Sequence, residues 1–164
     1  PFQDNLLRSS SHDRDHVTRA LEACDLVDLA HRRVEALSGG EQRRVAIARA
    51  LAQDTPVLLM DEPGAHLDSA HALSLAELVR REVDQRQRAC LIVSHDLNIA
   101  TQFADRIIVM DAGHIVADGP PDSALSDEIL ARVFRGSLVS VQLDKLGRYF
   151  VPPRRSRSST SISA

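Results

Sequence analysis

Apolar residues along this chain follow two rhythms. From His16, the side chains of Val17, Ala20, Leu21 and Cys24 recur at helical spacing and predict a short amphipathic helix over 16–24. Residues 1–15 are polar and show no such period. Further helices are predicted over 38–53 and 69–87, with Leu73, Leu75, Leu78, Val79 and Val83 lining the inner side of the second. Between them, Val57-Leu58-Leu59-Met60 is an unbroken apolar run that predicts a strand over 57–61 buried on both faces, and 90–93 predicts another. A short helix over 97–103 follows. Strands over 106–110 and 114–117, joined through Asp111-Ala112-Gly113, read as a hairpin. Residues 127–134 predict a helix, and weak strands lie around Val139 and Tyr149. Strands alternating with long helices imply an α/β fold built on a parallel or mostly parallel sheet with helices on both faces. No internal repeat is visible.

Composition narrows the class without deciding it. An apolar content of 43% and a charged content of 26% over 164 residues are ordinary globular values. The formal net charge of -3 argues against a nucleic-acid face spread over the domain. No apolar run approaches the roughly 18 residues a membrane-spanning helix needs, so a membrane role implies a partner. Cys24 and Cys90 are too few for a disulfide framework and sit in apolar contexts, which suggests buried, inert thiols in a reducing compartment. The Ser- and Arg-rich residues 152–164 are expected to be disordered. Arg154, Arg155 and Arg157 there would give a nucleic-acid tether only weak, salt-sensitive binding, so a solvated tail is the simpler reading. The chain opens on Pro1-Phe2-Gln3-Asp4, which reads as mid-loop and suggests a fragment truncated on its N-terminal side.

Four motifs carry chemistry. In Leu37-Ser38-Gly39-Gly40-Glu41-Gln42-Arg43-Arg44, Ser38 and Glu41 fit a capping box, but two glycines in a first turn each cost up to about 1 kcal/mol relative to alanine. They leave bare N–H groups at the positive end of the helix dipole, a place suited to phosphate. The strand over 57–61 delivers Asp61 and Glu62 at its C-terminal end, where open α/β sheets bind ligands. Strand alternation sends the two carboxylates different ways, one to hold Mg²⁺, the other to orient an attacking water. In Gly64-Ala65-His66-Leu67-Asp68, Asp68 also suits the cap of the next helix. Val93-Ser94-His95-Asp96 ends a strand in a histidine, and a helix between Glu62 and His95 allows both to end adjacent parallel strands.

In that order the motifs resemble ABC ATPases. Leu37 to Gln42 is similar to their signature motif, Leu58-Leu59-Met60-Asp61-Glu62-Pro63 to their Walker B strand, Gly64 to Asp68 to their D-loop and Ser94-His95-Asp96 to their H-switch. The resemblance covers roughly residues 1–150. It implies a P-loop NTPase-like sheet with part of a helical subdomain (1–37), the signature helix and catalytic core (38–136), small C-terminal strands (137–151) and a tail (152–164). It further implies that Ser38, Gly39, Gly40 and Gln42 bind ATP held by a second ATPase subunit of a head-to-tail dimer. Asp61 would support Mg²⁺, Glu62 would be the catalytic carboxylate and His95 the phosphate-sensing switch. Asp68 would bridge the two composite sites. Gly64 departs from the family's usual threonine.

The pattern G-x-x-G-x-G-K-[ST] of a phosphate-binding Walker A loop does not occur, and the single lysine, Lys145, lies in a turn-like context. These residues alone are therefore expected to bind ATP poorly, and a sheet without its phosphate-loop strand would expose an apolar edge. His95-Asp96-Leu97-Asn98, Ala104 to Met110, Ala65 to His71 and Leu130 to Phe134 resemble the ATPases that import ferric siderophores, haem or cobalamin. Such ATPases sit on the cytoplasmic face of the membrane, docked on permease subunits and served indirectly by a substrate-binding protein, with no nucleic-acid partner. The competing expectation is a non-transport ABC ATPase of DNA repair or translation.

Overall fold

A computed structural model describes residues 11–65, 67–144 and 147–153. The polar start of the chain over 1–10, His66, Lys145 and most of the tail expected to be disordered lie outside the described residues. The chain divides into two compact units, residues 1–95 and 96–164.

In the first unit, α1 spans Ser11–Ala23, α2 Gly39–Ala52, β1 Val57–Asp61, α3 Ser69–Arg86 and β2 Ala89–Val93. The helix α1 starts five residues before the expected position at 16. Its first turns are polar and are held by local contacts, His12 Nε2 to His16 Nε2 at 3.0 Å and Arg19 Nε to the Asp15 carbonyl at 3.1 Å, which leave no apolar period to read. The helices α1 and α2 pack on each other. Ala20, Cys24, Leu26, Ile47, Ala48, Leu51, Leu58, Met60, Leu75, Leu78 and Val79 form one core. Fully burying a leucine such as Leu26 or Leu58 contributes about 1.5–3 kcal/mol. The inner side of α3 is Ala72, Leu75, Ala76, Leu78, Val79 and Glu82; Leu73, expected there, is turned outward.

Parallel pairing joins β1 to β2 in the register Leu59↔Leu91 and Asp61↔Val93. The strand β1 is not buried on both faces as its apolar run predicts. Leu58 and Met60 face the helices, whereas Val57 and Leu59, with Leu91 and Val93 beside them, stay exposed, Leu59 by 73%. The physical reason is that the helical core covers one face of a two-stranded sheet.

A buried polar cluster, which the sequence pattern did not signal, ties α1, the end of α2 and α3 together. Asp54, at a left-handed φ of 51°, bonds Arg88 and lies 3.5 Å from His16 Nδ1. Arg86 Nε donates to Glu82 Oε2 at 3.1 Å, and His16, Glu82 and Arg88 are all buried. Buried charges survive only when paired in this way.

In the second unit, α4 spans Leu97–Phe103, β3 Ile107–Asp111, β4 His114–Gly119, α5 Pro121–Ala124, α6 Asp127–Phe134, β5 Val139–Leu143 and β6 Gly147–Val151. The β3–β4 hairpin closes through Ala112 and Gly113 at φ 47° and 81°, a two-residue turn with both central residues left-handed. The pair β5–β6 is also antiparallel, so parallel pairing is confined to β1–β2 among the described strands. Val109, Leu125, Leu130 and Phe150 form this unit's core. Asn98 clamps β6, donating to the Phe150 carbonyl at 3.2 Å and accepting from its N–H at 2.8 Å. The four-residue helix α5, entered through Pro121, was not anticipated.

Candidate functional site

The parallel register of β1 and β2 ends both strands at one rim, with Asp61 opposite Val93. One step further, the Glu62 N–H donates to the Val93 carbonyl at 2.9 Å. The backbone of Glu62 then turns left-handed, at φ 43°. For a residue with a side chain this conformation costs about 1–2 kcal/mol. Its effect is to take Glu62 out of simple strand alternation and bring Oε1 to 3.2 Å from His95 Nδ1. Asp61 remains in the strand and exposed. The strand thus breaks between Asp61, its last residue, and Glu62.

Asp61 and Glu62 offer hard oxygen ligands, and no group of three or more His, Cys, Asp or Glu side chains among the described residues forms a metal cage. That donor set fits Mg²⁺, which keeps several waters and takes one or two carboxylates together with substrate phosphates.

The helix α2 begins with a complete capping box. The Glu41 N–H donates to Ser38 Oγ at 3.3 Å and the Ser38 N–H to Glu41 Oε2 at 2.7 Å. These bonds to Ser38 hold the Glu41 carboxyl below its usual range. Gln42 Nε2 donates to the Leu37 carbonyl at 3.0 Å, fixing the entry into the helix. Capping thus accounts for Ser38 and Glu41 but not for the glycines. A Cβ on Gly39 would meet nothing within 4 Å, and one on Gly40 only His71 Cδ2 at 3.7 Å. Neither has a left-handed φ. Both have first-turn N–H groups with no intrahelical partner. Among the described residues, no packing contact requires glycine at either position.

Arg43 donates to the Ala65 carbonyl at 3.3 Å, linking α2 to the turn before α3. Asp68 caps α3, its Oδ1 accepting from the His71 N–H at 3.0 Å and its Oδ2 lying 2.8 Å from His71 Nδ1. The backbone bond first, then the ring bond, holds the Asp68 carboxyl below its usual range. The structure thus brings Glu62 to His95, with Asp61 preceding at the strand end, and among the described residues reaches from the start of α2 to Asp68 only through His71, which adjoins Gly40. His71, bonded to Asp68 and adjoining Gly40, was not singled out in the sequence. Its signal in the sequence was the i,i+3 spacing from a cap aspartate.

Residues 2–65 match the family model described as ABC transporter, a span that holds Ser38, Gly39, Gly40, Asp61 and Glu62. The hemin import ATP-binding protein HmuV of Nocardia farcinica (strain IFM 10152) is 44% identical over 149 residues, covering 89% of this chain and 50% of the relative. A solved metal-chelate type ABC transporter in an inward-facing conformation has a TM-score of 0.79 and 26% identity, covering 92% of this chain and 62% of that one. The ATP-binding cassette MJ0796, solved as a post-hydrolysis dimer bound to ADP and Pi, has a TM-score of 0.61 and 31% identity, covering 71% of this chain and 51% of that one. The chain spans about half the length of the curated relatives it matches.

Proposed function

The chain belongs to the ABC transporter ATP-binding family, and on that premise we propose that it carries the hydrolytic and signature part of an ATPase cassette that drives import of a metal chelate such as haem or a ferric siderophore. The single observation that carries the reading is the Glu62–His95 pair, 3.2 Å apart at the ends of adjacent parallel strands.

In this reading Glu62 accepts the proton of the water that attacks the terminal phosphate of ATP, and His95 orients Glu62 and hydrogen-bonds that phosphate. Asp61 would hold Mg²⁺, which when bound neutralises phosphate charge. The glycine-flanked start of α2 presents the N–H groups of Gly39 and Gly40, with Ser38 Oγ beside them, to ATP bound on a second ATPase subunit. Among the described residues nothing packs against Gly39 or Gly40 closely enough to require glycine, which supports close approach of a group from outside the chain. The phosphate loop that completes such a site is not among the 164 residues.

The import reading draws on the hemin import relative and the metal-chelate type neighbour. No described helix is long and apolar enough to cross a membrane. Attachment would run through permease subunits at the cytoplasmic face, with a substrate-binding protein delivering cargo on the other side. The divisions at residues 37, 136 and 151 belong to the same reading.

The deciding experiment is Glu62→Gln in the full-length protein that carries these residues. ATP binding should persist, the dimer should stay closed on ATP, and hydrolysis should fall by about 10²–10⁴-fold. Hydrolysis at the parental rate would overturn the assignment.

A further inference from the structure

We propose that His71 is a further nucleotide-contacting residue, an imidazole held by Asp68 beside Gly40 so that its free edge meets the terminal phosphate of ATP. The inference rests on the reading of the α2 start as the phosphate-accepting signature.

Two bonds from Asp68 fix the residue. Oδ1 takes the His71 backbone N–H at 3.0 Å, and Oδ2 lies 2.8 Å from Nδ1. An ionised carboxylate can only accept, so Nδ1 carries the proton. With Nδ1 pinned, the opposite ring edge, Cδ2 and Nε2, is the one left to turn elsewhere. Cδ2 lies 3.7 Å from where a Cβ of Gly40 would stand, which sets that edge against the first turn of α2. The His71 and Asp68 side chains are 60% and 66% exposed, so the pair is reachable from solvent.

Capping explains the backbone bond and needs no imidazole. The ring instead places a second donor next to the bare N–H groups of Gly39 and Gly40. With Nδ1–H held by Asp68, an Nε2–H on the same ring would donate to phosphate oxygen.

The test uses the full-length protein and three variants. His71→Ala should raise KM for ATP about tenfold while kcat changes much less, the signature of lost nucleotide binding. His71→Asn keeps a donor facing Asp68 but has no atom at the Nε2 position, and should behave like alanine. His71→Gln reaches the Nε2 position and should recover part of the loss. Parental KM in His71→Asn would reduce His71 to a partner of Asp68 and overturn the inference, as would parental KM in His71→Ala. Glu62→Gln run alongside separates the two failures. If Glu62→Gln stalls hydrolysis and the His71 variants keep parental KM, only this inference falls; if Glu62→Gln hydrolyses normally, the underlying reading falls.

Discussion

Oε1 of Glu62 lies 3.2 Å from Nδ1 of His95, across the ends of two paired parallel strands. The side chains are 44% and 74% exposed, and a pair so open to water adds only about 0–1 kcal/mol to stability. Its geometry therefore bears on chemistry far more than on the fold. In the full-length protein His95→Ala should keep its urea midpoint and lose about 10²-fold in kcat. Parental kcat would remove His95 from the site, and a large drop in midpoint would make the pair a structural one.

The first turn of α2 separates local stability from function. A methyl group on Gly39 enters open space and one on Gly40 makes an ordinary 3.7 Å contact. Alanine is the better helix former, so Gly39→Ala and Gly40→Ala should each raise stability by about 0.5–1 kcal/mol in urea titrations. On the proposed reading the same substitutions should weaken ATP-driven dimerisation in the full-length protein, because each added methyl would stand where the second subunit's nucleotide approaches. Unchanged dimerisation, measured by size-exclusion chromatography with ATP, would show that no ligand comes near these glycines.

Much of the site was legible because its signals are local. Ser38 and Glu41 announce a cap, Pro63 and the apolar run before it announce a strand end, and the helix over 69–86 implies a crossover that lays the next strand alongside in parallel. The left-handed turn at Glu62 was not legible, since nothing in Asp61-Glu62-Pro63 distinguishes it from a strand that simply stops. The burial of β1 was misread because an apolar run reports that a strand prefers to be covered, not what covers it. The Asp54–Arg88 contact joins residues 34 apart in sequence, and charge spacing along the chain carries no trace of such pairings. His71 escaped for a related reason: its partner Asp68 was legible as a cap, but the approach of its ring to Gly40 is tertiary.

The bare face of β1 and β2 has a consequence in solution. Val57, Leu59, Leu91 and Val93 lie together on it, exposed by 51%, 73%, 56% and 56%. Contiguous apolar patches of this kind drive association. The 164-residue chain should show concentration-dependent scattering, and Leu59→Lys should suppress it while leaving the helical circular dichroism signal in place. Scattering that persists in Leu59→Lys and in Leu59→Lys with Leu91→Lys would locate the association elsewhere.

Cys24 links burial to alkaline stability. It is fully buried, and that burial first, then the carboxylates of Glu82 and Asp25, pushes its thiol up to about 11. An unfolded thiol ionises near pH 8.5, so the folded chain holds its proton more tightly than the unfolded one. The resulting stabilisation is complete below about pH 8.5 and is lost as pH rises through about 11, an effect on the order of 3 kcal/mol. Cys90 is half-buried and shifts in the same direction. The chain has one tyrosine and only Lys145 as lysine, so few other groups titrate over this span. Urea midpoints taken between pH 8 and 11 should fall for the parent and fall less for Cys24→Ala, although the alanine variant starts lower because it leaves a cavity. Parallel curves for the two proteins would mean that Cys24 reaches solvent, and rapid alkylation of the native thiol at pH 8 would show the same by a second route.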